Sequence, residues 1–453
     1  MKVFKSANPY DQSVVAEHEL MNDEKLQSAF GKAEAAFSQW RSKSFNKRSD
    51  LLRAVAINLR VNKETYAQTI SIEMGKILKE ARGEIEKCAL ACEFYAEQGE
   101  RFLYEQIVSS DAKKSMITFQ PIGAVLAIMP WNFPFWQVMR ATIPCIMAGN
   151  VVLLKHAPNV TQCSKQIEKI FVESGAPEGL FQSLVVDIDV TEKIISQDIV
   201  QGVTLTGSEF AGSSVASLAG KHIKKSVLEL GGSDPLIVLE DADLHQAASV
   251  GLQSRMQNAG QSCIASKRFI VIEKVKDEFV NLLIHQIKDI KQGDQLDEAT
   301  TMGPMARIDL AEKLLKQKND SLINGIDLIT GGSHNGCNFE PTLLDNVKPG
   351  VPAFDEELFG PVASIIVAKN EMEAIRLANK NRYGLGASLW TKDLDRGQLL
   401  AKEINAGSVF INALVKSDPR LPFGGIKKSG YGRELSAHGI KEFTNIKTIC
   451  VED

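Results

Sequence analysis

At 453 residues the chain is long enough for about three domains or lobes, each with its own core, which excludes a peptide module or a disulfide-stapled miniprotein. Hydrophobic residues at 44% and charged residues at 24% are ordinary globular usage and exclude a largely disordered or fibrous chain. Against 56 Asp and Glu stand 52 Lys and Arg, a net charge of -4, so no overall positive field exists to hold a polyanion and nucleic acid is not expected as a partner.

The first residues, MKVFKSANPYDQ, lack the apolar run of an export signal, and the expectation is a cytoplasmic protein. From 23 to 105 apolar positions recur at spacings of three and four, which predicts a helical lead-in. The apolar stretch from Ile122 to Met139 nears membrane-spanning length. Pro130, Asn132 and Pro134 interrupt it and Arg140 ends it, so a buried strand and turn are predicted and no membrane span.

Short β-rich runs then alternate with helical ones. AVLAIMP, VVLLK, a helix over 161–173 and GVTLTGS form one series; SVLELGG, PLIVLED, KRFIVIEKV and the segments to SVFIN form another. Strands separated by helices imply parallel, doubly wound sheets, here an α/β fold of two lobes with a ligand cleft between them. Seven cysteines are too few and too irregular for a disulfide framework, and Cys88 and Cys92 stand four apart, so reduced thiols are expected. The histidines are scattered, with no HExxH and no paired CxxC, and no metal is expected.

Several residues carry candidate chemistry. Cys263, in NAGQSCIAS, has small and polar neighbours that leave its sulfur approachable, unlike a core cysteine among large apolar side chains. Glu229 ends an apolar strand before a Gly-Gly turn; it either reaches solvent there or, buried, has a raised pKa suited to taking protons near neutrality. Asn132, between two prolines and among four aromatics in PWNFPFW, is either a turn former or a rigid amide donor for an oxyanion. Gly207 and Gly212 follow a strand and open a helix, which suits a phosphate, although GxGxxG is absent. Lys155 ends the strand VVLLK, where it meets either solvent or a cofactor's ribose and phosphate.

Together PWNFP, LLKHAP, TGS, LELGG, GQSC, EELFGP and PFGGIKKSGYGRE resemble, in order and over nearly the whole chain, the motif series of the aldehyde dehydrogenase superfamily. The resemblance implies Cys263 as nucleophile, Glu229 as general base for deacylation, and Asn132 with the Cys263 N–H as oxyanion hole. It implies Lys155 and Glu357 at the cofactor riboses, Phe359 at the nicotinamide end, and Gly207 and Ser208 by the pyrophosphate, with Trp131 and Gly212 as further cofactor-binding candidates. An sp2 carbonyl carbon does not easily release hydride, so thiolate addition must precede oxidation and a base must then hydrolyse the thioester. Cys263 is accordingly expected to be partly thiolate near neutral pH.

Arg140 stands eight residues after Asn132 and resembles the arginine of succinate semialdehyde dehydrogenases, which implies a bidentate partner for a substrate carboxylate; a structural acid is its alternative partner. The second arginine of such enzymes is replaced here by Gln257, with Arg255 or Arg420 and Ser417 as compensating candidates and Phe133 also on the substrate side. Pro158 stands where many NAD-preferring relatives place Glu, so NAD and NADP both stay open.

The expected activity is NAD(P)-dependent oxidation of a semialdehyde, best succinate semialdehyde, with glutarate semialdehyde or a small neutral aldehyde as alternatives. An enzyme acylating coenzyme A, or a non-catalytic binding protein, is a further alternative. The expected layout is a cofactor domain over 1–102 and 122–234, a catalytic domain over 235–427, and a β oligomerisation flap over 103–121 and 428–453. That flap would make a homodimer or homotetramer.

Overall fold

The computed structural model describes residues 2–452; Met1 and Asp453, the outer ends of the expected domain ranges, lie outside the described residues. The lead-in is four helices, Asp23–Trp40, Phe45–Val61, Lys63–Met74 and Leu78–Phe102. Asn22 and Ser44 cap the first two by accepting from Lys25 N and Lys47 N, as short polar side chains do at helix starts. Their apolar faces, including Phe30, Trp40, Leu52, Leu59 and Tyr95, share one core with the first large sheet.

That sheet has six strands in the order Gly430–Tyr431, Lys225–Glu229, Val200–Thr206, Ala124–Met129, Val151–His156, Phe181–Ser183. The four pairings among the last five strands are all parallel, and only Gly430–Tyr431 joins antiparallel, setting Gly430 opposite Glu229. Both faces of a parallel sheet are covered by helices, which is why AVLAIM and VVLLKH read as nearly continuous apolar runs. The chain starts at Ala124–Met129, runs outward to Phe181–Ser183, then returns to Val200–Thr206 on the other side of the starting strand. This reversal opens a crevice at the carboxyl ends of the two central strands, the place where doubly wound sheets bind ligands. Those ends lead into Pro130, Trp131 and Asn132 on one side and Gly207 and Ser208 on the other.

The second sheet has seven strands, with Asp234–Val238 in its middle between Ser266–Ile272 and Gly386–Trp390, both parallel to it. It carries a separate core that includes Phe269, Phe279, Phe354 and Trp390. A third sheet of three antiparallel strands joins Gln106–Val108, Lys114–Pro121 and Thr444–Val451. The expected flap range 428–453 is corrected at its start, because Gly430–Tyr431 is drawn into the first sheet by pairing with Lys225–Glu229. An N-terminal hairpin, Val3–Ala7 with Val14–Glu19, adds a small sheet that the sequence reading did not anticipate. No helix among the described residues is long and apolar enough to cross a membrane.

Candidate active site

Cys263 stands on the turn between the helix Leu244–Met256 and the strand Ser266–Ile272. The turn is strained: Asn258 and Ala259 have φ of 55° and 49°, a left-handed conformation that costs an L-residue roughly 1–2 kcal/mol. The surroundings hold it there. Asn258 donates through its side chain to the carbonyls of Asn132 (2.7 Å) and Gln261 (3.2 Å), and its backbone N–H donates to Glu80 (2.9 Å). At Gly260, φ 73°, a Cβ would lie 2.3 Å from the Gly360 carbonyl carbon, so only glycine fits. Lys267 completes the clamp by donating to the carbonyls of Ser262 and Cys263, each at 2.8 Å.

Two cavities meet at this sulfur. One, of about 340 Å³, is walled by Phe133, Trp136, Arg140, Gln257, Cys263 and Ser417 among others. The other, of about 680 Å³, lies at the crevice of the first sheet and is walled by Trp131, Asn132, Gly207, Ser208, Cys263, Glu357 and Phe359 among others. Part of the Cys263 surface opens onto these spaces, yet the protein mass around it pushes the thiol up to about 12, Arg140 and Lys267 opposing incompletely. Burial thus works against the expected partial ionisation of this thiol, and the cations Arg140 and Lys267 work for it.

Asn132 is buried and donates through Nδ2 to Gln261 O at 3.0 Å, which leaves the second N–H of its amide for the larger cavity. Its loop hangs from two charged residues of the lead-in. Lys76 pairs with Glu84, both nearly fully buried; Lys76 also donates to Asn132 O at 3.0 Å and sits 3.8 Å from the Phe133 ring centroid. Glu84 accepts from the backbone N–H groups of Phe135 and Trp136, each at 2.9 Å. Sequence reading missed this pair, because a lysine in the connector between two helices and a glutamate on an amphipathic helix ordinarily face water.

Glu229 is the last residue of its strand and is buried. It lines neither cavity, and neither carboxylate oxygen has a hydrogen-bond partner. It lies against Gly424, where a Cβ would come within 2.6 Å of its Oε1. Burial raises its pKa well above the usual carboxylate range, Glu434 adds to the rise, and Arg140 and Arg433 oppose it.

Arg140 borders the smaller cavity, but its charge is already engaged. It pairs with Glu434, donates to Thr206 Oγ1 at 3.2 Å and lies 4.5 Å over the Phe423 ring. The structural acid weighed as its alternative partner is therefore present, in the C-terminal segment, beside a guanidinium that still borders the cavity. Arg255 does not compensate; it is fully buried and donates to the carbonyls of Gly260, Leu358 and Gly360. Arg420 is exposed and pairs with Asp418. Gln257 and Ser417 do face the cavity.

The larger cavity fits a dinucleotide at several points. Trp131 and Phe359 meet edge to face, 5.9 Å between centroids, as an aromatic wall. Ser208 caps the helix Glu209–Lys221, so free N–H groups at that helix start face the crevice. Glu357 accepts from Gly232 N at 3.0 Å and lies 3.4 Å from Lys267. Lys155 is buried on the neighbouring strand Val151–His156 and lines neither cavity, and burial lowers its pKa. Gly212 is corrected from a cofactor contact to a packing position: its missing side chain makes room for Leu230, whose Cδ2 would be 2.5 Å from a Cβ there. Among the described residues no cluster of three or more His, Cys, Asp or Glu is placed to hold a metal.

Comparison with known proteins agrees with this geometry. A probable NADP-dependent succinate-semialdehyde dehydrogenase of Synechocystis is 48% identical over 422 residues, 92% of this chain and 93% of that protein. The NAD(P)-dependent succinate semialdehyde dehydrogenase of Escherichia coli K12 is 43% identical, covering 94% of this chain and 92% of that protein. The crystal structure of the Streptococcus pyogenes succinic semialdehyde dehydrogenase with NADP+ superposes with a TM-score of 0.97 at 37% identity, covering 99% of this chain and all of that one. Residues 1–449 match the aldehyde dehydrogenase family model, and the chain belongs to that family.

Proposed function

We propose that this protein oxidises succinate semialdehyde to succinate, with NADP or NAD as hydride acceptor, by covalent catalysis at Cys263. The observation that carries the reading is the meeting of two separate cavities at one sulfur, a small one suited to an aldehyde and a larger one suited to a dinucleotide. The activities of the relatives above support the choice of substrate.

Cys263 sulfur adds to the aldehyde carbon as its proton passes to solvent water, and the carbonyl π bond opens to an oxyanion on a tetrahedral carbon from which hydride can depart. The second N–H of Asn132 meets the oxyanion, a contribution of about 3 kcal/mol to the barrier. The dinucleotide, when bound between Trp131, Phe359, Glu357 and the start of the helix Glu209–Lys221, supplies the hydride acceptor. Water then attacks the thioester carbon, Glu229 takes the water's proton, and the thiol is restored as the acid leaves. Glu229 must first swing from Gly424 towards the sulfur, a movement its unpartnered oxygens leave unopposed. Pro158 opens a short 3-10 turn after Lys155, so no carboxylate at that position repels a 2′-phosphate and both cofactors are accepted.

The free state of all seven cysteines fits a reducing, cytoplasmic location. The strand Thr444–Val451 is a long, largely exposed edge, which fits pairing with a second copy into a homodimer or homotetramer. A panel of aldehydes followed by reduced-nicotinamide absorbance with NAD and NADP tests the function. Succinate semialdehyde is expected to give the highest kcat/KM, and Cys263→Ser to abolish turnover. No signal with any aldehyde, or normal turnover by the serine variant, overturns the reading.

A further inference from the structure

Arg140 shares its charge with Glu434 and gives Nη2 to Thr206, so a substrate carboxylate in the aldehyde cavity is held better with a second cation. The wall contains two other cations, Lys416 and Lys87. Lys416 is exposed at the surface. Lys87, on the helix Leu78–Phe102, reaches inward: its Nζ is 2.8 Å from Ser417 Oγ and 4.3 Å from the centroid of the Trp136 ring. The nearest acids are spoken for, Glu84 by Lys76 and two backbone N–H groups, and Asp418 by Arg420. Ser417 Oγ accepts from Lys87 and also from Trp136 Nε1 at 3.0 Å. Its own hydrogen then remains available to an acceptor in the cavity.

We propose that Lys87 and Ser417 form the carboxylate-binding end of the aldehyde cavity, the ammonium and the hydroxyl together holding the acid group of an ω-oxo acid whose aldehyde lies at Cys263. This rests on the function proposed above and names the residues that would give it its preference for an acidic aldehyde. An ammonium without a carboxylate partner, on the rim of a cavity, attracts an anion strongly because little water competes for it. The groups facing Lys87 are Arg140, Cys88, Glu84 and Asp418; burial draws its pKa down to about 8, Arg140 adds to the fall and the other three oppose it. The carboxylate is therefore held best below pH 8, where Lys87 carries its proton, and progressively less above it.

The test compares kcat/KM for succinate semialdehyde with that for butanal, a neutral aldehyde of the same chain length. Lys87→Met is expected to lower the ratio at least about tenfold, mainly through KM for the semialdehyde, as loss of a hydrogen bond to a charged group does. Lys87→Arg is expected to keep most of it. The wild-type ratio should fall about tenfold between pH 8 and pH 10 or sooner, and the Met variant should lose that dependence. If Lys87→Met fails to fold, Ser417→Ala and the wild-type pH profile decide. A wild-type enzyme preferring the semialdehyde with a ratio unmoved by Lys87→Met, or by Ser417→Ala together with a flat pH profile, overturns the Lys87 assignment alone. A wild-type enzyme that does not prefer the semialdehyde overturns the function proposed above as well.

Discussion

Two buried glutamates, Glu84 and Glu229, are built in opposite ways. Glu84 has Lys76 beside it and two backbone N–H groups on one oxygen. Glu229 has no hydrogen-bond partner on either oxygen, and a second acid, Glu434, adds to its raised pKa. A carboxylate meant to stay in place is satisfied on every side, because each unmet polar group buried costs about 1–3 kcal/mol. One meant to move and to exchange protons is left without bonds that would tether it or keep it ionised. The difference separates scaffold from chemistry more clearly than burial does, since both residues are buried.

Substitution of each by glutamine sharpens the contrast. Glu229→Gln is expected to fold with stability changed by about 1 kcal/mol or less, because neither carboxylate oxygen makes a hydrogen bond that the amide would lose. It should release one equivalent of reduced cofactor in a burst and then turn over about a hundred- to ten-thousandfold more slowly. Mass spectrometry of the quenched variant should find acyl mass on Cys263; acyl mass on another residue, or steady turnover at the wild-type rate, breaks the assignment. Glu84→Gln leaves Lys76 charged and buried without its partner, and denaturant unfolding should report a loss of about 3–5 kcal/mol. An unfolding midpoint equal to wild type would erase the distinction between the two sites. The same loop is held more weakly by Asn258. Asn258→Ala should cost about 2 kcal/mol, left-handed backbone strain plus a lost hydrogen bond, and Asn258→Gly about half of that; equal losses in the two variants would remove the strain argument.

The candidate reactive residues were legible because they sit in short local motifs: GQSC for Cys263, LELGG for Glu229, PWNFP for Asn132. The sheets were legible as well, since strands such as AVLAIM, covered on both faces, write their burial into consecutive residues. The supports were not. Lys76 and Glu84 act on a loop about 50 positions along the chain, Lys87 meets Ser417 330 positions away, and Arg140 meets an acid from the C-terminal segment. Charged side chains on helices and their connectors carry no mark of such distant partners. Arg140 shows the consequence: its motif position implies substrate binding, whereas its partner Glu434 is visible only once the chain is folded.

The helices before residue 103 contribute nothing to the wall of the larger cavity, yet through Lys76 they fix the aim of Asn132. A substitution that displaces Lys76 should therefore slow turnover without changing any residue that lines the larger cavity.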